Sequence, residues 1–102
     1  MSVLVTLDEA KVQLHITDPV YDPEVTTKLG QANAIVLDYL GARADPDWTE
    51  TTAPPVVKAA IERWVVYLWE HRGDDLAPDG HEEAIWRDTE LLLKRLRDPA
   101  LA

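Results

Sequence analysis

Residues 54–73 read PPVVKAAIERWVVYLWEHRG and form a long apolar stretch in the middle of the 102-residue chain. Prolines begin the stretch and Gly73 ends it, which is typical of a single helix. One helical stripe contains Val57, Ala60, Ile61, Trp64, Val65 and Leu68, and beside it lie Val56, Val66, Tyr67 and Trp69. A helix that is apolar nearly all round is normally buried. We therefore predict a central helix over residues 54–72 that needs neighbours in the fold or in an oligomer.

A shorter helix is predicted near the start of the chain, over residues 6–14. Thr6 and Glu9 stand three positions apart, which is the capping-box pattern of a helix N-terminus. An apolar stripe then follows, formed by Leu7, Ala10, Val12 and Leu14. Such a stripe needs a neighbouring element to cover it.

A longer helix is predicted over residues 22–40. Asp22 is suited to be its N-cap and Pro23 to be its first helical residue. Gly41 follows as a suitable C-cap. Ile35 and Leu37 widen the apolar face near the end, beyond what one thin core requires.

The remaining chain predicts an acidic loop over residues 42–53 and a final helix over 81–97. Trp48 stands alone in the loop, either folded back as a lid on the core or reaching a neighbouring chain. In the final helix, one face is marked by Ile85, Leu92 and Leu96, with Trp86, Leu91 and Leu93 beside it. The four helices predict an all-α, compact bundle, one domain over residues 1–102 with a basic C-terminal helix and tail at about 81–102.

The charge of the chain restricts its partners. Nineteen acidic residues against ten basic ones give a formal charge of −9. This argues against binding nucleic acid through its phosphates and against docking on anionic lipid. No apolar run approaches the roughly 18 residues that a membrane span requires, so we expect no membrane partner. Residues 87–97 are an exception, with four bases and two acids, which suits either a helix C-terminus or a docking role.

The residues that catalysis most often uses are scarce. There is no Cys, and the only Ser is Ser2, so nucleophilic catalysis by either type is not expected. His15, His71 and His81 have no partner at the spacing of a zinc helix, and no glycine-rich phosphate loop exists. We therefore predict no enzyme, no catalytic residue, no cofactor and no metal site. A small helical enzyme would need a pocket with convergent acids of shifted pKa.

The order of the elements resembles a known family. The segments that carry the likeness are VTLDEAK at 5–11, LDYLG at 37–41, PVVKAAI at 55–61, YLWEHRG at 67–73 and LLKRLRDPA at 92–100. Their order and spacing are similar to those of the gp6-like head–tail connector (adaptor) family of tailed bacteriophages and prophages. The likeness covers nearly the whole chain and departs from the family in the acidic loop 42–53 and in the tryptophan content.

This resemblance implies a structural role. Connectors of this kind form a homo-oligomeric ring beneath the portal protein, usually with its twelve-fold symmetry, hence a dodecamer. The ring joins the DNA-filled head to the tail or stopper protein, and DNA passes through its channel without sequence-specific binding. The chain would then be made in the bacterial host cytoplasm and end in the neck of the virion. The resemblance also implies a C-terminal segment that engages the portal, for which the candidates are Lys94, Arg95, Arg97 and Leu101.

A head-to-tail ring needs two different adhesive faces on each subunit. The candidates for these subunit or partner interfaces are Ile35, Leu37, Trp48, Tyr67, Trp69 and Trp86. Tyr67 and Trp69 fit a place in the core equally well, and both interpretations stay open at this point.

The charge also permits an alternative function, an acidic inhibitor or DNA mimic that binds a basic host protein. This alternative predicts acids along one exposed stripe and binding that weakens strongly with salt. The apolar central helix argues against this alternative, which depends on charged residues.

Overall fold

The structure is a computed structural model that describes residues 3–71 and 81–97. Within those residues it contains four α-helices and no strand: α1 (Leu7–Leu14), α2 (Asp22–Leu40), α3 (Pro55–Glu70) and α4 (His81–Arg97). Short 3₁₀ turns, Pro19–Tyr21 and Gly41–Arg43, stand before and after α2. The prediction of a compact all-α bundle of four helices is confirmed. Helix α3 ends at Glu70 with His71 as its C-cap, two residues before the predicted end at residue 72, and the predicted cap Gly73 lies outside the described residues.

Helix α1 begins as the sequence predicts. The Thr6 side chain accepts a hydrogen bond from the Glu9 amide at 3.1 Å, and the Thr6 amide donates to the Glu9 carboxylate at 2.9 Å. His15 ends the helix in a left-handed conformation with φ of 59°. The prediction that Val12 belongs to the apolar stripe is wrong, because this side chain is 68% exposed.

Helix α2 has the predicted bounds, but Asp22 is not its N-cap, because the residue at that position is Tyr21. The 3₁₀ turn Pro19–Tyr21 runs directly into α2, so Asp22 is its first helical residue and does not cap it. The Asp22 carboxylate instead accepts a hydrogen bond from the Lys11 ammonium at 2.7 Å, which links the start of α2 to α1. Gly41 ends α2 with φ of 55°, a backbone conformation that favours glycine.

The core lies where α2, α3 and α4 meet, with α1 and the preceding arm closing one end. Leu4 and Val5 of that arm are buried. The Leu4 amide donates to the buried Asn33 Oδ1 at 3.0 Å, which ties the arm to the middle of α2. A buried amide without this acceptor would be costly, so Asn33 is a polar residue that the core requires.

Within a single chain, α3 is not buried on every side. Its core-facing side is fully covered, but Val56, Arg63 and Glu70 are exposed, and Val66 and Tyr67 are half-buried. The reason is geometric, since α1, α2 and α4 all contact α3 yet leave part of its circumference open. Among the described residues, the chain therefore supplies only some of the neighbours that its apolar central helix could accommodate.

The predicted face of α4 packs against the core, with Ile85 buried and Leu92 and Leu96 half-buried, and the fully buried positions also include Thr89 and Leu93. Ile85, Thr89 and Leu93 are buried, whereas Leu91 is 70% exposed. The Trp64 indole N–H donates to Thr89 Oγ1 at 2.8 Å, and Thr89 Oγ1 donates to the Ile85 carbonyl at 2.8 Å. These bonds make a threonine part of the buried face. Leu91 lies on the opposite side of the helix from Thr89 and Leu93, so its predicted place beside the core face is wrong.

Candidate functional site

The described part of the chain has a groove of about 670 Å³ on the outer side of α3. Its floor is formed by α3, mainly by Ala59, Val66 and Tyr67. Gln13 of α1 borders one side, and Ala84, Ile85 and Asp88 of α4 border the other. We call this feature the outer groove. Its floor is apolar because α3 carries more apolar residues than the core of one chain covers.

The rim of the outer groove is acidic. Glu62, Glu70 and Asp88 line it, and among the described lining residues Arg63 is the single arginine or lysine. Arg63 donates to the Asp88 carboxylate at 3.0 Å and so links α3 to α4. Burial raises the pKa of Glu62, the nearby Glu9 raises it further, and Lys58 partly offsets both effects. The groove thus combines an apolar floor with a negative rim.

A second cluster of charges holds the acidic loop and α1 onto α3. The Lys58 ammonium donates to the Glu9 carboxylate at 2.8 Å and to the Glu50 carbonyl at 2.7 Å. The pKa of Glu9 is lowered by the hydrogen bond from Lys58 and next by the hydrogen bond from the Thr6 amide. Because Glu9 is engaged by both donors, we assign this cluster to holding the fold together.

Five rings form a continuous chain that reaches the outer groove from α2. Tyr39 lies 6.1 Å from Trp86, and Trp86 lies 5.0 Å from Trp64, measured between ring centroids. Trp64 then contacts Tyr67 at 5.5 Å, and Tyr67 stacks on His71 at 4.3 Å. Edge-to-face and stacked pairs of this kind add stabilisation beyond burial alone. Tyr67 therefore joins the core to the groove floor.

The six predicted interface residues do not form one surface. All of them pack against the core and are half-buried: Ile35, Leu37, Trp48, Tyr67, Trp69 and Trp86. Of these, Tyr67 alone lines the outer groove. Trp69 contacts Tyr21 edge-to-face at 6.0 Å, at the 3₁₀ turn before α2.

Trp48 lies in the acidic loop and packs on the core with part of its ring exposed. Residues 49–53 around it are organised by hydrogen bonds among Thr49, Thr51 and Thr52. Its placement is that of a lid, and the exposed part remains accessible.

The predicted portal-docking residues are described only in part. Lys94 lies on α4 and is exposed. Arg95 and Arg97 belong to α4, but their side chains, like Leu101, lie outside the described part of the structure.

The sequence interpretation missed the most exposed large apolar residues. Val12, Val20 and Leu91 are 68%, 69% and 70% exposed. For Leu91 a signal was present, because it begins the run Leu91–Leu93. Successive residues on a helix are 100° apart, so three consecutive leucines cannot all face one core.

Comparison of the chain with protein-family models, with curated proteins and with solved structures finds no match. None of the helices within residues 3–71 and 81–97 is long and apolar enough to cross a membrane. In the same residues, no three His, Cys, Asp or Glu side chains come together in a way that could hold a metal ion.

Proposed function

We propose that this chain is a structural subunit of a tailed-phage head–tail connector ring. The ring would join the portal protein to the tail or stopper protein and surround the DNA channel. A dodecamer matches the twelve-fold symmetry implied by the resemblance to connector proteins. The order of the four helices in the structure agrees with the order on which that resemblance rests.

The observation that carries the proposal is that large apolar residues lie exposed at separate places on one chain. Val12 on α1, Val20 in the 3₁₀ turn and Leu91 on α4 are all more than two-thirds exposed. The groove on α3 adds an apolar floor at a further place. Exposed apolar residues at several separate places suit a subunit that contacts two neighbours and two other proteins, because a head-to-tail ring uses a different surface on each side.

The charge of the chain supports the same proposal. An acidic channel wall repels the phosphates of DNA, so DNA moves through without being held. A formal charge of −9 suits such a conduit.

The experiment that tests the proposal combines this chain with the portal protein of the same phage or prophage. Electron cryo-microscopy should show a ring of added density on one face of the portal, and mass spectrometry should find the chain in purified virions. A chain that stays monomeric with portal and tail proteins and is absent from virions would contradict the proposal. Salt-sensitive binding to a basic host protein instead would favour the acidic inhibitor.

A further inference from the structure

We propose that the outer groove of one copy binds the outward face of α4 of a second copy. That face presents Arg87, Leu91 and Lys94, and we call it the outer stripe. The inference deepens the proposed function and rests on it, because it assigns the contact between neighbouring subunits of the ring. The contact joins two different surfaces, so it repeats from copy to copy.

The outer stripe has the composition of a docking surface. Arg87, Leu91 and Lys94 follow one another at spacings of four and three, which places them on one side of α4. All three are exposed, and Leu91 is more exposed than any other large apolar residue in the described chain. Neither Arg87 nor Lys94 forms an ion pair with another described residue. The stripe therefore offers an uncovered leucine between two cations, with the exposed Glu83 and Glu90 beside them on the same helix.

The outer groove complements that stripe in charge and in length. It offers an apolar floor at Val66 with Glu62 and Glu70 on its rim. At 1.5 Å per residue, Glu62 and Glu70 are about 12 Å apart along α3, and Arg87 and Lys94 are about 10 Å apart along α4. A leucine placed over the floor thus brings one cation near each carboxylate. Burying the leucine supplies free energy, and the charges set the register.

The stripe cannot reach the groove of its own chain, so the match in charge and length assigns the groove to the stripe of a second copy. Ile85 and Leu93 are buried and hold α4 against the rest of the bundle. With α4 fixed in that way, Leu91 lies about 10 Å along the helix from Ala84, which borders the groove, so Leu91 cannot turn into the groove of its own chain. A second copy carries the same stripe on a rigid helix, so it can dock without refolding.

Cysteine cross-linking tests this contact directly, because the chain contains no cysteine of its own. One chain carries Val66→Cys and the other carries Leu91→Cys, and the two are mixed under mild oxidation. We expect a disulfide-linked heterodimer to form at least about tenfold faster than with a control chain carrying Val12→Cys. Val12 is matched to Leu91 in exposure, at 68% against 70%. Equal rates for the two mixtures, at any concentration up to millimolar, would overturn the inference.

Charge reversal then tests the register of the contact. Adding Glu70→Lys to the groove chain, or Arg87→Glu to the stripe chain, should slow the cross-linking severalfold, and adding both should restore it. Raising the salt concentration should slow the unmodified pair, since exposed charges are screened. Both altered residues are exposed, so circular dichroism should show unchanged folding. Single reversals without effect would overturn the inference.

The experiments distinguish a failure of the inferred contact from a failure of the proposed function. If Leu91→Cys and Val66→Cys link rapidly but the chain never joins portal or tail, the contact stands and the connector function fails. If a ring forms on the portal and this pair links no faster than the Val12→Cys control, the function stands and the inference fails.

Discussion

The two sides of α3 differ sharply, although one short sequence encodes both. On the core-facing side, Val57, Ile61 and Trp64 are almost completely buried, and the Trp64 indole N–H is hydrogen-bonded to Thr89. On the outer side, Val66 is half-buried, and Glu70 is exposed at the rim of an open groove. The difference shows that the core of one chain covers one side of α3 and leaves part of the other side uncovered. Substitutions can separate the two roles.

The largest expected effect comes from opening a cavity on the core-facing side. Ile61→Ala removes a fully buried side chain and should lower the free energy of unfolding by about 2–5 kcal/mol. Because small domains have only about 5–15 kcal/mol in total, this loss should be plain in urea unfolding. The matched change on the outer side, Val66→Ala, should cost about 1 kcal/mol or less. Equal losses for the two variants would contradict the comparison.

A second effect concerns the buried Leu4 amide, which donates a hydrogen bond to Asn33 on the core side of α2. Asn33→Leu removes the acceptor of the Leu4 amide and should cost about 1–3 kcal/mol. Hydrogen exchange of that amide should accelerate together with the loss of stability. The control is Gln31→Leu on the exposed side of the same helix, which should change stability by no more than about 0.5 kcal/mol. An unchanged exchange rate at Leu4 in the Asn33 variant would count against this role.

A smaller effect of opposite sign is expected on the outward side of α2. Gly30 lies inside the helix, is exposed, and an added Cβ would meet no atom within 4 Å. Gly30→Ala should therefore stabilise the free chain by about 0.5–1 kcal/mol, measured as a raised Tm. The reverse change at the next exposed turn, Ala34→Gly, should lower Tm by a similar amount. A lowered Tm for Gly30→Ala would show that this side of α2 is not open in the free chain.

The smallest effects are those of pH, and they have opposite signs at two carboxyl groups. The pKa of Glu9 is lowered from 4.5, so its ionised form stabilises the folded chain, and that contribution is lost as the pH falls through the folded pKa. Glu9→Gln should thus reduce stability at pH 7 by a few tenths of a kcal/mol and have no effect in strong acid.

The pKa of Glu62 is raised from 4.5, so its ionised form is disfavoured in the folded chain. Glu62→Gln should therefore raise stability at pH 7, and the gain should shrink as the pH falls through the folded pKa towards 4.5. Urea unfolding from pH 3 to 7 measures both variants. Changes of the same sign at pH 7 would contradict the assigned environments.

Local signals in the sequence were sufficient for the helices. The capping pair Thr6 and Glu9 and the left-handed Gly41 act within a few residues, so the pattern alone predicts them. The burial of Leu4 is not predicted by such a signal, because the acceptor of its amide, Asn33, is 29 positions away. Contacts of that separation depend on the whole fold and leave no local pattern.

The sides of the helices were harder to predict than the helices themselves. Which of three consecutive leucines faces the core depends on the neighbouring helix; here it is Leu93, which lies one turn from Thr89, the acceptor of the bond from Trp64. The outer groove also could not be predicted, since it exists only where α1 and α4 stop short of covering α3. Tyr67 was selected from the sequence as an interface residue and does line this groove.

Native mass spectrometry of the portal protein mixed with this chain tests the central claim most directly. The connector account predicts that the portal gains the mass of one complete ring, twelve copies of an 11.5 kDa chain, with no partial rings at saturation. It also predicts that Leu91→Glu abolishes the gain while Val12→Glu, at a residue of similar exposure, leaves a larger part of it. A portal of unchanged mass, with the chain remaining at 11.5 kDa beside both portal and tail proteins, would contradict the account.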